Sequence, residues 1–151
     1  MKPPLSLAAA LCLALAGAAS AQEQFTEGPL WECSNYRTKP DQANSYLKYL
    51  RENSLPQNEE RKKAGLIVDY KVYFHTPTNP TDPDVVICTL HSSFARLDYN
   101  AGDDAKSKEI SAKHFKTADE QKQLDLIAKR LAMRDFLGTS YYREVKLKPM
   151  P

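Results

Sequence analysis

Two strand-like tracts lie almost end to end in the middle of this chain, with helical tracts before and after them, and that order narrows the possible folds more than any other feature. The first is LIVDYKVYFHTP, Leu66 to Pro77. It places apolar or aromatic side chains at Leu66, Val68, Tyr70, Val72 and Phe74, alternating with the mixed set Ile67, Asp69, Lys71, Tyr73 and His75. A period of two predicts a strand with one buried face and one mixed face. The second is DPDVVICTLHSSF, Asp82 to Phe94, with Cys88 and His91 three positions apart and therefore on opposite faces of a strand. The intervening TNPTDP is a loop by its Asn, Asp and Pro content.

Upstream, LWECSNYR, Leu30 to Arg37, reads as a first strand after a polar lead-in, residues 22–29, that ends at the breaker Gly28-Pro29. A helix follows, with Ala43, Tyr46, Leu47 and Leu50 at helical spacing. Ser54 then reads as the cap of a fresh helix, with Pro56 in its first turn and Gln57 three residues on, running to a left-handed terminus at Gly65. Downstream, ARLDYNAGDDA breaks at Gly102. The long helical tract that follows has a capping box of Thr117 and Glu120 and an apolar stripe of Leu124, Ile127, Ala128 and Leu131, ending near Phe136 and Leu137 before Gly138. SYYREVKLK, Ser140 to Lys148, is the last strand.

Compartment decides how the cysteines are read. The chain opens MKPPLSLAAALCLALAGAASAQEQ, with a single cation at Lys2, an apolar run too short for a span of about 20 residues, and the small-residue site Ala19-Ser20-Ala21. This pattern predicts a signal peptide over residues 1–21, cut after Ala21, and a periplasmic or secreted protein. Removing those 21 of 151 residues leaves 130, enough for one domain, placed over residues 30–149. Without Lys2 the basic count falls from 21 to 20 against 19 acidic residues, so no field draws nucleic acid or a membrane surface, and neither partner is expected. Cys33 and Cys88 remain. An even count in an oxidising compartment favours a bridge, the alternative being two buried thiols used as small apolar residues.

The order β, α, β, β, α, β predicts an α+β domain of ferredoxin-like arrangement: an antiparallel sheet with helices on one face and the first strand central, beside the third and fourth. From Trp31 to Pro149 the chain resembles the dimeric α+β-barrel superfamily, which includes antibiotic-biosynthesis-type and haem-degrading monooxygenases, and is most similar to its small exported members. The likeness lies in RKKAGLIVDYKVYF, DVVICTLHSSFARLD and MRDFLGTSYYREVKLKP. It implies a homodimer whose open sheet faces enclose a cavity. It implies no reaction, because one fold hosts many.

In such a barrel the second strand would turn Asp69, Lys71, Tyr73 and His75 inward, and the third Val85, Ile87, Thr89 and His91, leaving Val86, Cys88 and Leu90 under the helices. A Cys33–Cys88 bridge would then put Cys33 and Trp31 under the helices and Glu32, Ser34 and Tyr36 in the barrel. On the last strand Tyr141, Arg143, Val145 and Leu147 would be covered, with Tyr142, Glu144 and Lys146 inside. The candidate site is therefore His91 as general base, with Glu32, Asp69, Tyr73, His75, Tyr36 and Glu144 to orient it or bind ligand. The blander reading of the same residues is a set of interface hydrogen bonds and ion pairs.

Other chemistries lack their residues. The 3 histidines have no metal-ligand spacing, no Cys-x-x-Cys or Gly-x-Ser-x-Gly occurs, and 5 glycines form no phosphate loop. No metal or cofactor is expected, and the tryptophan that haem degradation would need on the third strand is missing. Two functions stand: a barrel that holds a small, largely apolar or aromatic ligand, with or without acid-base or monooxygenase-type chemistry, and a non-catalytic structural or interaction protein of the periplasm with a filled barrel.

Overall fold

The computed structural model of the chain describes residues 24–150, so the expected signal peptide and its cut after Ala21 lie outside the described residues. The elements run β1 (Phe25–Thr38), α1 (Ala43–Tyr49), a π-helical turn (Leu50–Ser54), α2 (Leu55–Lys63), β2 (Asp69–Phe74), β3 (Val85–His91), a 3-10 turn (Phe94–Leu97), α3 (Ala101–Phe115), α4 (Glu120–Leu131) and β4 (Arg134–Leu147). The fold is α+β. Its sheet has the order β2-β3-β1-β4, with every adjacent pair antiparallel.

Strand β1 is longer than its apolar core suggested. The lead-in joins the sheet, pairing Phe25, Thr26 and Glu27 with Leu147, Lys146 and Val145, and Gly28-Pro29 falls within a register shift between Glu27 and Leu30. Proline cannot donate to the ladder, and a bulge is where a sheet tolerates it. A side chain at position 28 would bring its Cβ to 3.1 Å from Glu144 Cβ, so glycine also permits the close approach of β4.

Helices α1 and α2 form one helical stretch through the π turn, not two separately capped helices. Ser54 is itself helical and its side chain caps nothing. The N–H of Leu55 bonds the carbonyl of Leu50, an i→i+5 spacing just before Pro56, whose ring would crowd the carbonyl of residue 52 in a regular helix. Asn53 and Gln57 donate their side-chain amides to the carbonyls of Tyr49 and Asn53, both at 3.1 Å. Gly65, at φ 71°, ends the run in the left-handed region as expected.

The second helical tract also divides differently. Gly102 does not break structure but sits in the first turn of α3, where the Asn100 side chain accepts from the N–H groups of Gly102 and Asp103. The cap of α4 is Asp119, which accepts from Lys122 N–H, and Thr117 instead accepts from Asp119 N–H. The helix stops at Leu131, and Phe136, Leu137 and Gly138 belong to β4, where Gly138 has φ 136° beside a second register shift.

The buried cluster is Tyr46, Leu50 and Val85, with Tyr36, Leu47, Tyr49, Ile87 and Met133 against it. It lies where α1 and the π turn cross β1 and β3, and no residue of α2, α3 or α4 is buried. The expected stripe on α4 does not form core: Leu124 is 56% and Leu131 59% exposed. On the edge strand β2, Val72 and Phe74 are likewise exposed.

Register fixes which residues share a face, because directly opposed residues on antiparallel strands point the same way. Tyr36 packs edge-on to Tyr46 at 6.1 Å, and the Tyr70 hydroxyl donates to Glu59 on α2 at 2.9 Å, which identifies the helix side. That side therefore carries Leu30, Glu32, Ser34 and Tyr36 of β1 and Val85, Ile87, Thr89 and His91 of β3. The open side carries Trp31, Cys33 and Asn35 with Val86, Cys88 and Leu90. This reverses the expected parity of β1 and β3, while β2 keeps its own: Asp69, Lys71 and Tyr73 align with the open-side residues Leu90, Cys88 and Val86. Strand β3 is apolar at nearly every position, so it offers no alternation from which to choose, and the expected parity rested on placing the bridge under the helices.

Candidate functional site

The disulfide forms between Cys33 and Cys88, which face each other directly across β1 and β3 with Cα atoms 4.0 Å apart. It lies on the open side of the sheet as the floor of a depression of about 350 Å³. Around it stand Trp31, Lys71, Tyr73, His75, Val86 and Tyr142. The indole N–H of Trp31 donates to Glu144 Oε1 at 2.7 Å, and Lys71 Nζ lies 4.9 Å from the centre of the Trp31 ring. These contacts fix the indole from two directions and leave Tyr73 and Tyr142, 50% and 58% exposed, as free aromatic walls. Such a surface suits a flat, largely apolar molecule, with the Lys71 ammonium available to a polar or anionic edge.

Of the residues expected here, the structure brings together Tyr73 and His75, with Glu144 at the margin through Trp31. Asp69 is drawn away by Lys62 of α2, which donates to its carboxylate at 2.7 Å and holds that carboxyl below its usual range. Tyr36 is on the helix side, between Tyr46 and the Arg134 guanidinium, which stacks 3.5 Å above its ring. His91 is on the helix side as well, not facing the open depression. It is buried, and its Nε2 is 3.0 Å from Glu32 Oε2, while its Nδ1 has no partner among the described residues. The expected neighbourhood of His91 and Glu32 is thus present on the opposite face from the one expected.

Among the described residues no group of three or more His, Cys, Asp or Glu side chains is arranged to hold a metal, and no helix is long and apolar enough to cross a membrane. No protein-family model, curated protein or solved structure matches the chain.

Trp31, Lys71 and Tyr142 did not stand out as site residues in the sequence. The signal for Lys71 was its place in the odd set of β2 with Tyr73 and His75. The signal for Trp31 and Tyr142 was their even spacing from Cys33 and Glu144.

Proposed function

We propose that the chain is an exported, homodimeric ligand-binding protein of ferredoxin-like, dimeric α+β-barrel type, which holds a small aromatic or largely apolar molecule against the open face of its sheet. The observation that carries this reading is the depression floored by the Cys33–Cys88 bridge and walled by Trp31, Tyr73 and Tyr142, on a face that no helix among the described residues covers. The strand order β2-β3-β1-β4 agrees with the ferredoxin-like arrangement, and the bridge agrees with an oxidising compartment outside the cytosol. Aromatic side chains left on a sheet face in water are costly, and a second copy packed face to face would remove that cost while closing the depression into a cavity.

Trp31 is the only tryptophan of the chain and lines the depression, so its emission reports on this site alone. Titrating the purified protein with 8-anilinonaphthalene-1-sulfonate should transfer energy from Trp31 and quench it saturably. Tyr73→Ala and Tyr142→Ala should each weaken the response severalfold. A dimer in which Trp31 stays silent to this probe, and to a screen of small aromatic carboxylates and phenols, would favour the structural or interaction role instead.

A further inference from the structure

On the other side of the sheet, where the helices pack, lies a second cavity of about 310 Å³, and among the described residues its lining contains no carboxylate. Two guanidiniums enter it, Arg61 from α2 and Arg130 from α4. Among the described residues neither makes an ion pair. Arg61 spends one Nη2 proton on Ser107 Oγ at 3.3 Å, and its buried Nε has no acceptor. Arg130 makes no side-chain hydrogen bond among the described residues, and its Nε is also buried without a partner. Arg61 and Arg130 are half-buried, whereas Arg134, stacked on Tyr36, is 6% exposed with its Nε equally unpaired among the described residues. The buried carboxylate of Asp84 is committed elsewhere, accepting from the N–H and hydroxyl of Thr38.

Buried cations are ordinarily paired, since removing a charge from water costs several kcal/mol unless an opposite charge compensates it. Burial and the charge of Arg130 together press the Arg61 guanidinium below its usual range, so these two groups oppose each other as the cavity stands. The wall between α2 and α3 is a ladder of polar contacts where apolar packing is the norm: Asn53 with His114, Gln57 with Ser111, and Arg61 with Ser107. Ser54, Gln57, Asn58 and Arg61 follow the i, i+3, i+4, i+7 spacing of a core-facing stripe, and all four line the cavity. Tyr49 and Phe115 supply flat apolar area beside these donors.

We propose that this cavity binds a small organic oxyanion, its carboxylate or phosphate held between Arg61 and Arg130 and its body against Tyr49 and Phe115. Planar guanidiniums match carboxylate and phosphate oxygens two at a time, and a bound anion would supply the missing partner for both half-buried cations and their buried Nε groups. The site is separate from the open-face depression, so each stands or falls by its own variants.

The test titrates the purified protein with sodium benzoate and with sodium phosphate, read by calorimetry and thermal unfolding against sodium chloride at matched ionic strength. At least one of the two should bind once per chain and raise the melting temperature above the chloride control. Arg61→Gln and Arg130→Gln should each weaken that binding at least tenfold, with the exposed Arg51→Gln unchanged. Without anion, Arg130→Gln should melt no lower than wild type, because it removes a repelling, unpaired cation; a purely structural arginine would melt lower. Benzoate alone acting would assign a carboxylate, phosphate alone a phosphate-type ligand. Should a glutamine variant fail to fold, Arg61→Lys and Arg130→Lys keep the charge without the planar fork and should weaken binding at least threefold. No response to either anion beyond chloride overturns the proposal, as does a response that survives undiminished in both arginine variants.

Discussion

On the open side of the sheet, β1 and β3 are tied by a covalent bridge lying beneath Trp31 and Tyr142; on the helix side the same two strands are held by the apolar packing of Tyr46, Leu50 and Val85. The first side needs no covering layer to keep its strands together. The second has its layer of helices: Tyr46, Leu50 and Val85 pack where α1 and the π turn cross, Leu30 is buried at the far end of the β1–β3 pairing, and between α3 and the helical stretch before it runs a polar ladder beside guanidiniums that make no ion pair among the described residues. Stability is therefore concentrated in the bridge and the Tyr46 cluster. The regions left over, the aromatic depression and the polar cleft, are the two proposed to accept a molecule.

Loss of the bridge should have the largest effect. Replacing Cys33 and Cys88 with alanine frees a crosslink between residues 55 apart and should cost about 4 kcal/mol, read by denaturant unfolding. A cost near zero would mean the open side is held by something else. On the helix side, Leu50→Ala should cost about 3 kcal/mol, whereas Leu131→Gln on α4 should stay within about 0.5 kcal/mol. Equal costs at the two positions would contradict a core that Leu50 enters and Leu131 of α4 does not.

A smaller effect sharpens where β2 meets α2. Burial, then the hydrogen bond to Glu59, push the Tyr70 hydroxyl up to about 12. With the folded value raised above the ordinary 10.0, the stabilisation is complete below pH 10 and is lost as pH rises through about 12. Tyr70→Phe should cost less than about 1 kcal/mol near neutrality and flatten the alkaline limb of the stability curve. An unchanged alkaline limb would show that the Tyr70 to Glu59 contact is not populated. The smallest effect belongs to Asp69, whose carboxyl is held low by Lys62 on an exposed surface. Asp69→Asn should lower stability slightly above about pH 4, where the ion pair is intact, and the two proteins should converge in denaturant unfolding as pH falls through the depressed value and wild type loses the same contact.

Element types were legible because their periods differ: β2 alternates strictly, and Ala43, Tyr46, Leu47 and Leu50 recur at helical spacing. The cysteine pairing was legible from count and compartment. Strand faces were not, because β3 reads Val-Val-Ile-Cys-Thr-Leu and is apolar on both sides, so a mistaken side for the bridge carried β1 and His91 over with it. The helix boundaries moved for local reasons: a π turn absorbs Pro56 and leaves Ser54 inside a continuous helix, Asn100 caps α3 ahead of Gly102, and Asp119 caps α4 in place of Thr117. The open-side placement of Tyr73, His75 and Glu144 was legible because β2 and β4 have polar and apolar residues on definite sides. Arg61 and Arg130 were passed over because charged helical residues usually face water. Their helical spacing with Gln57 and Ile127 was the available clue.

On the function proposed above, the open, bridged face is the working surface and is completed by a second copy of the chain. Light scattering on the purified protein at micromolar concentration, alongside Val86→Lys at the edge of the depression, tests it most directly. Wild type should have twice the mass of one chain, and Val86→Lys should be a folded monomer with an unchanged far-ultraviolet spectrum. A monomeric wild type, or a dimer that Val86→Lys leaves intact, would contradict the account.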